Sequence, residues 1–506
     1  MTVTINDQFI PFENVANASE IKLDTSRLFR DKIAAAEKLL LKEISDGHPI
    51  YGVTTGYGDS GKNYLVYEDA QTLQVNLYRF HGCGVGDILS EKEIFNIVLV
   101  RLISISKGYS GVSIELLEAM LKFLELGILP AIPAKGSVGA SGDLTPLSYI
   151  AAALSGEREV IYRSQIRPSA EVLHECGLEP YTFKPKEALA IMNGTSVMTG
   201  ILVAQIENFE RLLMGLESFS AGLFEAMEAD TTALEPFVHQ VKPFEGQIKC
   251  ASNLREKLEG ATLVHDRLTR YKSFFDSKHH NIQDRYSIRC IPQILGVAWD
   301  NLAQAKKWVE TEINSVSDNP LINCEEQIIY TGCNFYGGYM AHAADTLKIC
   351  LANMADLLDK QFALLVDDKF NRGLGENLKL SSEPYYHGFK AMQITLSSLS
   401  ADVMMRMLPA SVFSRSTESM NQDKVSMGTT SALGFKEGIV DFSSMLAIAM
   451  LGIAQAIDIR GVEKFSPFAQ ALHRKIRTIS APLIEDRRLD GDIAKIRELL
   501  LRGELV

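Results

Sequence analysis

The stretch that decides the fold is SSMLAIAMLGIAQAIDI, residues 443–459. It is apolar around almost its whole circumference, which is typical of a helix that is buried on all sides. Its longest apolar run, Met445 to Ala454, has about ten residues, fewer than the roughly 18 that a membrane-spanning helix needs. We therefore predict a buried central helix and no membrane partner.

Two earlier segments have the same helical character. Apolar residues recur every three or four positions from 295 to 313 and from 340 to 365. Turn-rich sequences at 314–320 (NSVSDNP) and 371–384 interrupt this pattern. Long apolar helices bury their faces on other helices or on other subunits. The sequence therefore predicts a mainly α fold, with a long central and C-terminal helical bundle over residues 196–506.

The first 195 residues have a more mixed pattern and are predicted to form a smaller N-terminal domain. Helices are expected at 31–45 and 91–107. Strand-like pieces occur at 50–58 and 128–136, and the segment 159–168 (EVIYRSQIRP) is expected to form a hairpin or strand pair.

Composition excludes several classes of protein. The 506 residues carry a net charge of −12, which argues against a general nucleic-acid binder because phosphates require a basic surface. The seven cysteines are odd in number and lack CxxC spacing, and the ten histidines form no HxxxH pair. We expect reduced thiols, no metal site and a cytoplasmic protein, since no signal peptide is visible at the N-terminus.

The most unusual segment is KGSVGASGDL, residues 135–144. Its glycines fit neither the dinucleotide nor the P-loop pattern, and Ser141 does not lie in GxSxG. A plain turn is the ordinary interpretation. However, the Gly142 nitrogen, with no side chain beside it, can approach the Ala140 carbonyl. Attack there closes a five-membered imidazolone, and loss of water from Ser141 leaves a methylidene electrophile.

The segment 136–151 (GSVGASGDLTPLSYIA) resembles the signature of the aromatic amino acid ammonia-lyases and aminomutases, which make the cofactor 4-methylidene-imidazol-5-one (MIO) from Ala-Ser-Gly. The resemblance covers nearly the whole chain, because six further motifs occur along it in the family's order. They are YGVTTGYG (51–58), NGT (193–195), QDRYSIRCIPQ (283–293), SDNP (317–320), GCNF (332–335) and NQDKVS (421–426).

The resemblance implies a site and a cofactor. Ala140, Ser141 and Gly142 would form MIO autocatalytically, with no metal. The resemblance implies that Tyr51 is the catalytic base, that Tyr286 assists at the substrate amine, and that Arg289 pairs with the substrate carboxylate. Asn193 would hold the MIO oxygen or the substrate carboxylate, and Phe335 would pack on MIO or the substrate. Gln283 and Asn334 match further active-site positions of the family. A phenol has a reference pKa near ~10, so Tyr51 would need nearby positive charge and hydrogen bonds to ionise. Asp143 would position the loop or cap the following helix.

Two further positions bear on the substrate. Phe80 and His81 align with the family's selectivity pair, and a buried histidine can hydrogen-bond a phenol hydroxyl. Histidine lyases carry a glutamate in the NQD segment, where this chain has the neutral Gln422. We therefore expect L-tyrosine, converted to trans-p-coumarate and ammonia by anti-elimination. Phenylalanine is the second expected substrate and histidine the third. Phe80 departs from the common Ser-His pairing and would narrow the substrate pocket.

Other functions remain open at this stage. A tyrosine 2,3-aminomutase would share the cofactor and differ in whether ammonia adds back. A non-catalytic helical scaffold is the alternative from another functional class. A lyase of the fumarase type is disfavoured, because the characteristic loop of that class is absent from the sequence. The resemblance also implies a homotetramer whose active sites are each assembled from several subunits.

Overall fold

The computed structural model describes residues 1–65, 67–266, 268–269, 271–272 and 282–505. The α-helices are Phe12–Ala16, Arg27–Ser45, Tyr67–Phe80, Glu91–Ile105, Ile114–Leu126, Leu144–Leu154, Ser169–Glu175, Glu187–Met192, Ser196–Ala226, Pro236–Gln240, Glu245–Lys257, Tyr286–Arg289, Ile291–Ile313, Gly338–Val366, Lys390–Met405, Gly428–Arg460, Pro467–Arg477 and Asp490–Leu501. Short 3-10 helices are Gly58–Lys62, Thr231–Leu234, Glu376–Leu378, Ala410–Val412 and Val462–Lys464. The predicted mainly α fold is confirmed.

The strands are short and form small separate sheets. They are Thr2–Ile5, Glu20–Leu23, Val85–Ile88, Leu129–Pro130, Pro133–Lys135, Glu159–Tyr162, Gln165–Pro168, Leu321–Asn323 and Ile328–Tyr330. The predicted strand pair is confirmed, because Glu159–Tyr162 and Gln165–Pro168 are antiparallel neighbours.

The described chain divides into two compact units. The first unit comprises Met1–Gln205, Ala305–Asp345 and Pro409–Leu433, and the second comprises Ile206–Gln304, Thr346–Leu408 and Gly434–Val506. Such units describe packing and not independent folding. The division into domains at residue 195 therefore stays a prediction.

In the first unit, two small sheets fix the chain that leads into the glycine-rich loop. Leu129–Pro130 pairs with Glu159–Tyr162, and Pro133–Lys135 pairs with Val85–Ile88, both antiparallel. The loop follows directly at residue 136, and the helix Leu144–Leu154 begins after it. The loop is therefore held at both ends by regular structure.

The helix Glu91–Ile105 of the first unit is buried along most of its length. It begins with a capping box, in which the Ser90 hydroxyl accepts from the Glu93 amide and the Glu93 carboxylate accepts from the Ser90 amide. Such a box satisfies two of the free N–H groups at a helix start. Almost every residue from Glu93 to Ile105 is buried, including the charged Arg101.

The expected strand-like piece at 50–58 is wrong, because this segment forms turns and then the helix Gly58–Lys62. The Thr54 hydroxyl accepts from the Ile50 amide at 2.8 Å, and the Thr55 hydroxyl accepts from the Gly52 amide at 3.1 Å. Side-chain hydroxyls that bond nearby amides in this way compete with strand pairing. The β-branched residues that suggest a strand therefore stabilise a turn.

In the second unit, long helices approach closely at glycines. A Cβ added to Gly222 would lie 2.8 Å from Ile453, and one added to Gly452 would lie 2.5 Å from Phe362. The apolar residues from Met445 to Ala454 are at most 1% exposed. Of the described helices, Gly428–Arg460 alone is long and apolar enough to cross a membrane, and 83% of its apolar stretch is buried inside the protein. The predicted buried helix is therefore confirmed.

A buried carboxyl group in the second unit joins two helices. Glu225, 0% exposed, accepts hydrogen bonds from the Ser466 amide at 2.6 Å and from the Ser466 hydroxyl at 2.8 Å. Ser466 is the N-cap of Pro467–Arg477. Burial raises the pKa of Glu225 from 4.5 to about 7, although the two hydrogen bonds from Ser466 oppose this shift.

This raised pKa gives stability a defined pH dependence. The group favours the folded state below its unfolded pKa of about 4.5, and this contribution is lost as the pH rises towards 7. Wild type should lose unfolding free energy between pH 5 and pH 8. We expect Glu225→Gln to reduce this loss by up to about 3 kcal/mol. Melting temperatures at pH 5, 6.5 and 8 measure this, with the exposed Glu256→Gln as control. An unchanged pH dependence in Glu225→Gln would contradict the assignment.

Candidate active site

The glycine-rich loop is held by a close contact between two backbone segments of the first unit. Gly142 has φ +72°, in the left-handed region that favours glycine. A Cβ added there would lie 2.1 Å from the carbonyl oxygen of Gly194. The same carbonyl accepts from the Asp143 amide at 2.8 Å. Only glycine therefore fits at position 142, directly after Ser141.

The Asp143 side chain lies beneath this loop and is fully buried. Its carboxylate accepts from the Met198 amide and the Ser137 hydroxyl, both at 2.9 Å, and from the Thr429 hydroxyl. Burial raises the pKa of Asp143, and these donors oppose the rise. The carboxylate makes no cap bond to the helix that follows it. The capping alternative is therefore wrong, because the carboxylate instead accepts from the first turn of Ser196–Ala226.

A second anchor comes from the far end of the sequence. The Ser426 hydroxyl donates to the Gly139 carbonyl at 3.1 Å, and the Met427 amide donates to the Val138 carbonyl at 3.0 Å. Gly139 also has a left-handed φ of +70°. The loop therefore receives hydrogen bonds on both sides of Ala140-Ser141-Gly142.

A cavity of about 340 Å³ opens beside Ser141, within the size range of small-molecule sites. It brings together seven of the residues singled out from the sequence: Tyr51, Phe80, His81, Ser141, Asn193, Phe335 and Gln422. Its other lining residues are Gly56, Tyr57, Gly58, Ser60, Leu73, Leu77, Leu144, Leu189 and Glu418.

The Tyr51 hydroxyl accepts a hydrogen bond from the Gly58 amide at 2.8 Å. Burial raises the pKa of Tyr51, the Gly58 amide opposes this, and the negative charge of Glu418 raises the pKa further. The expectation of a nearby positive charge is therefore wrong for the described part of a single chain, because the neighbouring charge is an anion.

His81 is held in one tautomer. Its Nδ1 lies 2.9 Å from the Leu77 carbonyl, which can only accept, so Nδ1 carries the proton. Burial lowers the pKa of His81 and the charge of Arg158 lowers it further, although the Leu77 bond opposes this. The ring is therefore neutral near pH 7, and its Nε2 is a hydrogen-bond acceptor. The Phe80 ring packs against it, with centroids 4.2 Å apart.

Asn193 lines the cavity and has one unpaired side-chain atom. Its Nδ2 donates to the Asn319 carbonyl at 2.9 Å, but its Oδ1 has no partner although the residue is only 2% exposed. A buried polar atom without a protein partner is costly unless another group satisfies it. The atom left unpaired is an acceptor, so a donor such as an amine can pair with it. The role that the resemblance implies for Asn193 stays a prediction.

The loop between Thr417 and Gln422 contributes two polar groups. The Gln422 amide group donates towards the Ser141 hydroxyl at 3.5 Å, and its oxygen accepts from the Thr417 hydroxyl at 2.7 Å. The carboxylate of Glu418 accepts from the Asp59 amide at 3.0 and 3.1 Å. A carboxylate therefore lines the cavity four residues before the neutral Gln422.

The remaining predicted residues lie elsewhere. Asn334 is in the first unit but lines a separate groove with Tyr109 and Tyr330. Gln283, Tyr286 and Arg289 belong to the second unit, where the Arg289 guanidinium stacks over the Tyr286 ring at 4.6 Å. Tyr286 is 70% exposed. The described cavity therefore includes none of these four residues.

Glu418 and Tyr57 are among the lining residues that the sequence reasoning did not single out. Tyr57 lies in the YGVTTGYG motif, and its hydroxyl accepts from Gln74 at 3.3 Å. Glu418 lies just before NQDKVS, so position in or beside a known motif was the available signal for both. Leu73, Leu77 and Leu189 show ordinary helical periodicity and could not be distinguished from core residues.

One group among the described residues could hold a metal ion. The ligand atoms of Glu43, Asp46 and His48 lie within 4.8 Å of one another. The group is largely exposed, lines no part of the cavity, and already pairs His48 Nδ1 with Glu43 at 2.6 Å. Exposed acidic clusters of this kind are common without an ion.

Known proteins match the chain over nearly its whole length. The family profile described as aromatic amino acid lyase matches residues 11–478. A histidine ammonia-lyase from Treponema denticola is 32% identical, covering 99% of this chain and 97% of that protein. A probable histidine ammonia-lyase from Thermoplasma volcanium is 35% identical, covering 100% and 99%.

Solved structures extend the match to the fold. The tyrosine aminomutase from Streptomyces globisporus has a TM-score of 0.94 at 33% identity and covers 100% of this chain and 98% of its own. The phenylalanine aminomutase from Pantoea agglomerans has a TM-score of 0.95 at 29% identity, with 100% coverage of both chains. The predicted enzyme class, ammonia-lyase, is confirmed, and the chain belongs to the aromatic amino acid lyase family.

Proposed function

We propose that this protein is an MIO-dependent ammonia-lyase whose preferred substrate is L-tyrosine, with trans-p-coumarate and ammonia as products. The observation that carries the proposal is the neutral His81 in the same cavity as Ser141 and Tyr51. Its free Nε2 is an acceptor for a phenol hydroxyl. A site built to satisfy a polar group discriminates strongly against a ring that lacks it.

The residues present fit the cofactor that the family forms. Cyclisation joins the Gly142 nitrogen to the Ala140 carbonyl carbon, and the carbonyl oxygen leaves as water with the amide protons of Gly142 and Ser141. The Ser141 hydroxyl then leaves with its Cα proton as a second water. The left-handed Gly142, pressed against Gly194, supports this fit. When formed, the group supplies an electrophile that makes the substrate amine a leaving group.

The chain's own side chains would carry out the rest of the reaction. The Tyr51 oxygen takes the β-proton as the bond between Cα and nitrogen breaks, and the electron pair of the C–H bond becomes the new double bond. Asn193 Oδ1 accepts from the amine, which satisfies its unpaired atom. His81 orients the ring, while Phe335 and Phe80 line the cavity around it.

Histidine is the second candidate substrate. The curated relatives described above are named histidine ammonia-lyases, at 32% and 35% identity. An imidazole N–H would also donate to His81 Nε2, and Glu418 supplies a carboxylate at the cavity edge. The neutral Gln422 supports tyrosine over histidine, because it cannot provide charge at the position where histidine lyases carry glutamate.

The cofactor can be tested by intact mass. We expect the purified protein to be lighter than its sequence by two waters, roughly 36 Da, because autocatalytic cyclisation needs only this chain. Ser141→Ala should retain the full sequence mass, fold normally and lose at least about 1,000-fold in activity. A wild-type protein with the mass of the unmodified sequence would refute the proposed function.

Substrate preference can be tested at His81. We expect wild type to favour tyrosine over phenylalanine in kcat/KM, and His81→Leu to reduce that ratio by roughly 100-fold or more, since the phenol hydroxyl loses its acceptor. Phenylalanine is the internal control for folding and cofactor content. Histidine in the same panel, with product mass, separates the second candidate, and a β-tyrosine product would identify an aminomutase. A ratio that His81→Leu leaves unchanged contradicts the role of His81.

We also propose that the protein is a homotetramer, in which Gln283, Tyr286 and Arg289 of a second copy complete each site. The support is that Tyr286 is 70% exposed and that Gln283 is exposed as well, although both match active-site motifs. Arg289 would then bring a bidentate cation for the substrate carboxylate and a positive charge for the phenol of Tyr51.

Complementation between two inactive variants tests this assembly. Tyr51→Phe and Arg289→Lys should each lose nearly all activity. Hybrids of the two, isolated through different tags, should regain roughly a quarter of the wild-type activity, because random mixing leaves that share of two-copy sites intact. Hybrids as inactive as the parents would show that Tyr51 and Arg289 act within one copy.

A further inference from the structure

Arg101 is a fully buried cation that lies behind the glycine-rich loop. It belongs to the helix Glu91–Ile105 and is 0% exposed. Its Nε donates to the Ala190 carbonyl at 2.8 Å, its Nη2 donates to the same carbonyl, and its Nη1 donates to the Ser317 carbonyl at 2.7 Å. The guanidinium therefore bridges two segments that are far apart in the sequence.

The guanidinium also packs directly on Gly194. A Cβ added to Gly194 would lie 1.8 Å from Arg101 Nη1. Gly194 in turn contacts Gly142, through the carbonyl that would lie 2.1 Å from a Cβ on Gly142. Three layers are therefore in contact: the Arg101 guanidinium, the Gly194 backbone, and the last residue of Ala140-Ser141-Gly142.

The segments that Arg101 bridges are fixed by further buried groups. Lys186 Nζ pairs with Asp318 Oδ2 at 2.6 Å, and both side chains are 0% exposed. Lys186 precedes the helix Glu187–Met192, and Asn193, which ends that helix, donates to the Asn319 carbonyl. Asp318 and Asn319 therefore bind the residues at the two ends of this helix. Arg101 donates both to the Ala190 carbonyl of the helix and to the Ser317 carbonyl.

We propose that Arg101 is a positioning residue for the cyclisation of Ala140-Ser141-Gly142, acting through Gly194 as the rigid backing of the loop. The inference rests on the proposed function, because it concerns formation of the cofactor. Arg101 touches neither substrate nor the bonds that form. It fixes the surface against which Gly142 is held while its nitrogen attacks the Ala140 carbonyl carbon.

The geometry of the guanidinium explains why arginine is needed. A planar fork can donate to two carbonyls at once while its face or edge packs on a backbone. A lysine at this position keeps the charge but, as a single flexible ammonium, cannot bridge Ala190 and Ser317 in the same way. Arg101 also keeps its charge at neutral pH, although burial lowers its pKa to about 10.

The test is the rate of cofactor formation in Arg101→Lys, followed without any substrate. Protein is made by cell-free translation, and intact mass is recorded over time to measure loss of two waters. Folding and oligomeric state are checked by thermal melting and size-exclusion chromatography. We expect folded Arg101→Lys to lose the two waters at least about 10-fold more slowly than wild type.

Arg460→Lys is the matched control. Arg460 is a partly buried arginine of the second unit that also donates to backbone carbonyls, those of Ala226 at 2.6 Å and Arg372 at 2.9 Å. Its substitution removes the same kind of fork and lowers thermal stability. A merely structural role for Arg101 predicts equal rates of water loss in the two variants at equal stability, whereas positioning predicts slow water loss in Arg101→Lys alone.

Every outcome decides the proposal. Folded Arg101→Lys that loses both waters at the wild-type rate overturns it. If Arg101→Lys does not fold, Ser104→Ala decides instead, because the Ser104 hydroxyl accepts from the Ser317 amide at 3.0 Å on the same backing. Slower water loss in Ser104→Ala supports the proposal, and the wild-type rate overturns it. Wild type that loses no water refutes the proposed function itself, which keeps the two failures distinct.

Discussion

The contact between the backbones of Gly142 and Gly194 is the constraint on which the site depends. It admits no side chain on either residue, since one would meet the Gly194 carbonyl and the other would meet Arg101. The Gly194 carbonyl also accepts from the Asp143 amide, which fixes the direction of the chain after Ser141. Because these contacts fix the backbone conformation next to Ser141, its side chain lines the cavity.

The cavity of the single chain is set up for hydrogen bonding more than for charge. Burial raises the pKa of Tyr51 and lowers the pKa of His81, and Glu418 supplies a carboxylate among the described lining residues. Several buried charges of the first unit lie outside the lining, among them Asp143, Arg101 and the pair formed by Lys186 and Asp318. Buried charge thus stabilises the scaffold, whereas the cavity lining, apart from Glu418, presents neutral donors and acceptors.

The sequence predicted the parts of this arrangement that depend on local pattern. Helical periodicity located the long helices, and the motif order identified seven residues that the structure gathers around one cavity. Prediction from the sequence failed for side chains whose hydrogen-bond partners are distant in sequence. Asp143 accepts from Met198 and Thr429 instead of capping its own helix, and the threonines of 50–58 stabilise turns that resemble a strand in composition. Arg101 was missed because its contacts join segments that are distant in sequence, whereas Glu418 was missed although it lies beside a motif.

The contacts made by Ser426 and Thr429 bear on when the proposed cyclisation of Ala140-Ser141-Gly142 could occur. The Ser426 hydroxyl bonds the Gly139 carbonyl across 287 positions, and the Thr429 hydroxyl reaches Asp143 across 286. During synthesis, the tripeptide leaves the ribosome long before these partners exist. Its backbone therefore cannot be held in the conformation described here until most of the polypeptide has been made and folded. The missing mass of two waters would thus be a covalent record, in each molecule, that its folding had been completed.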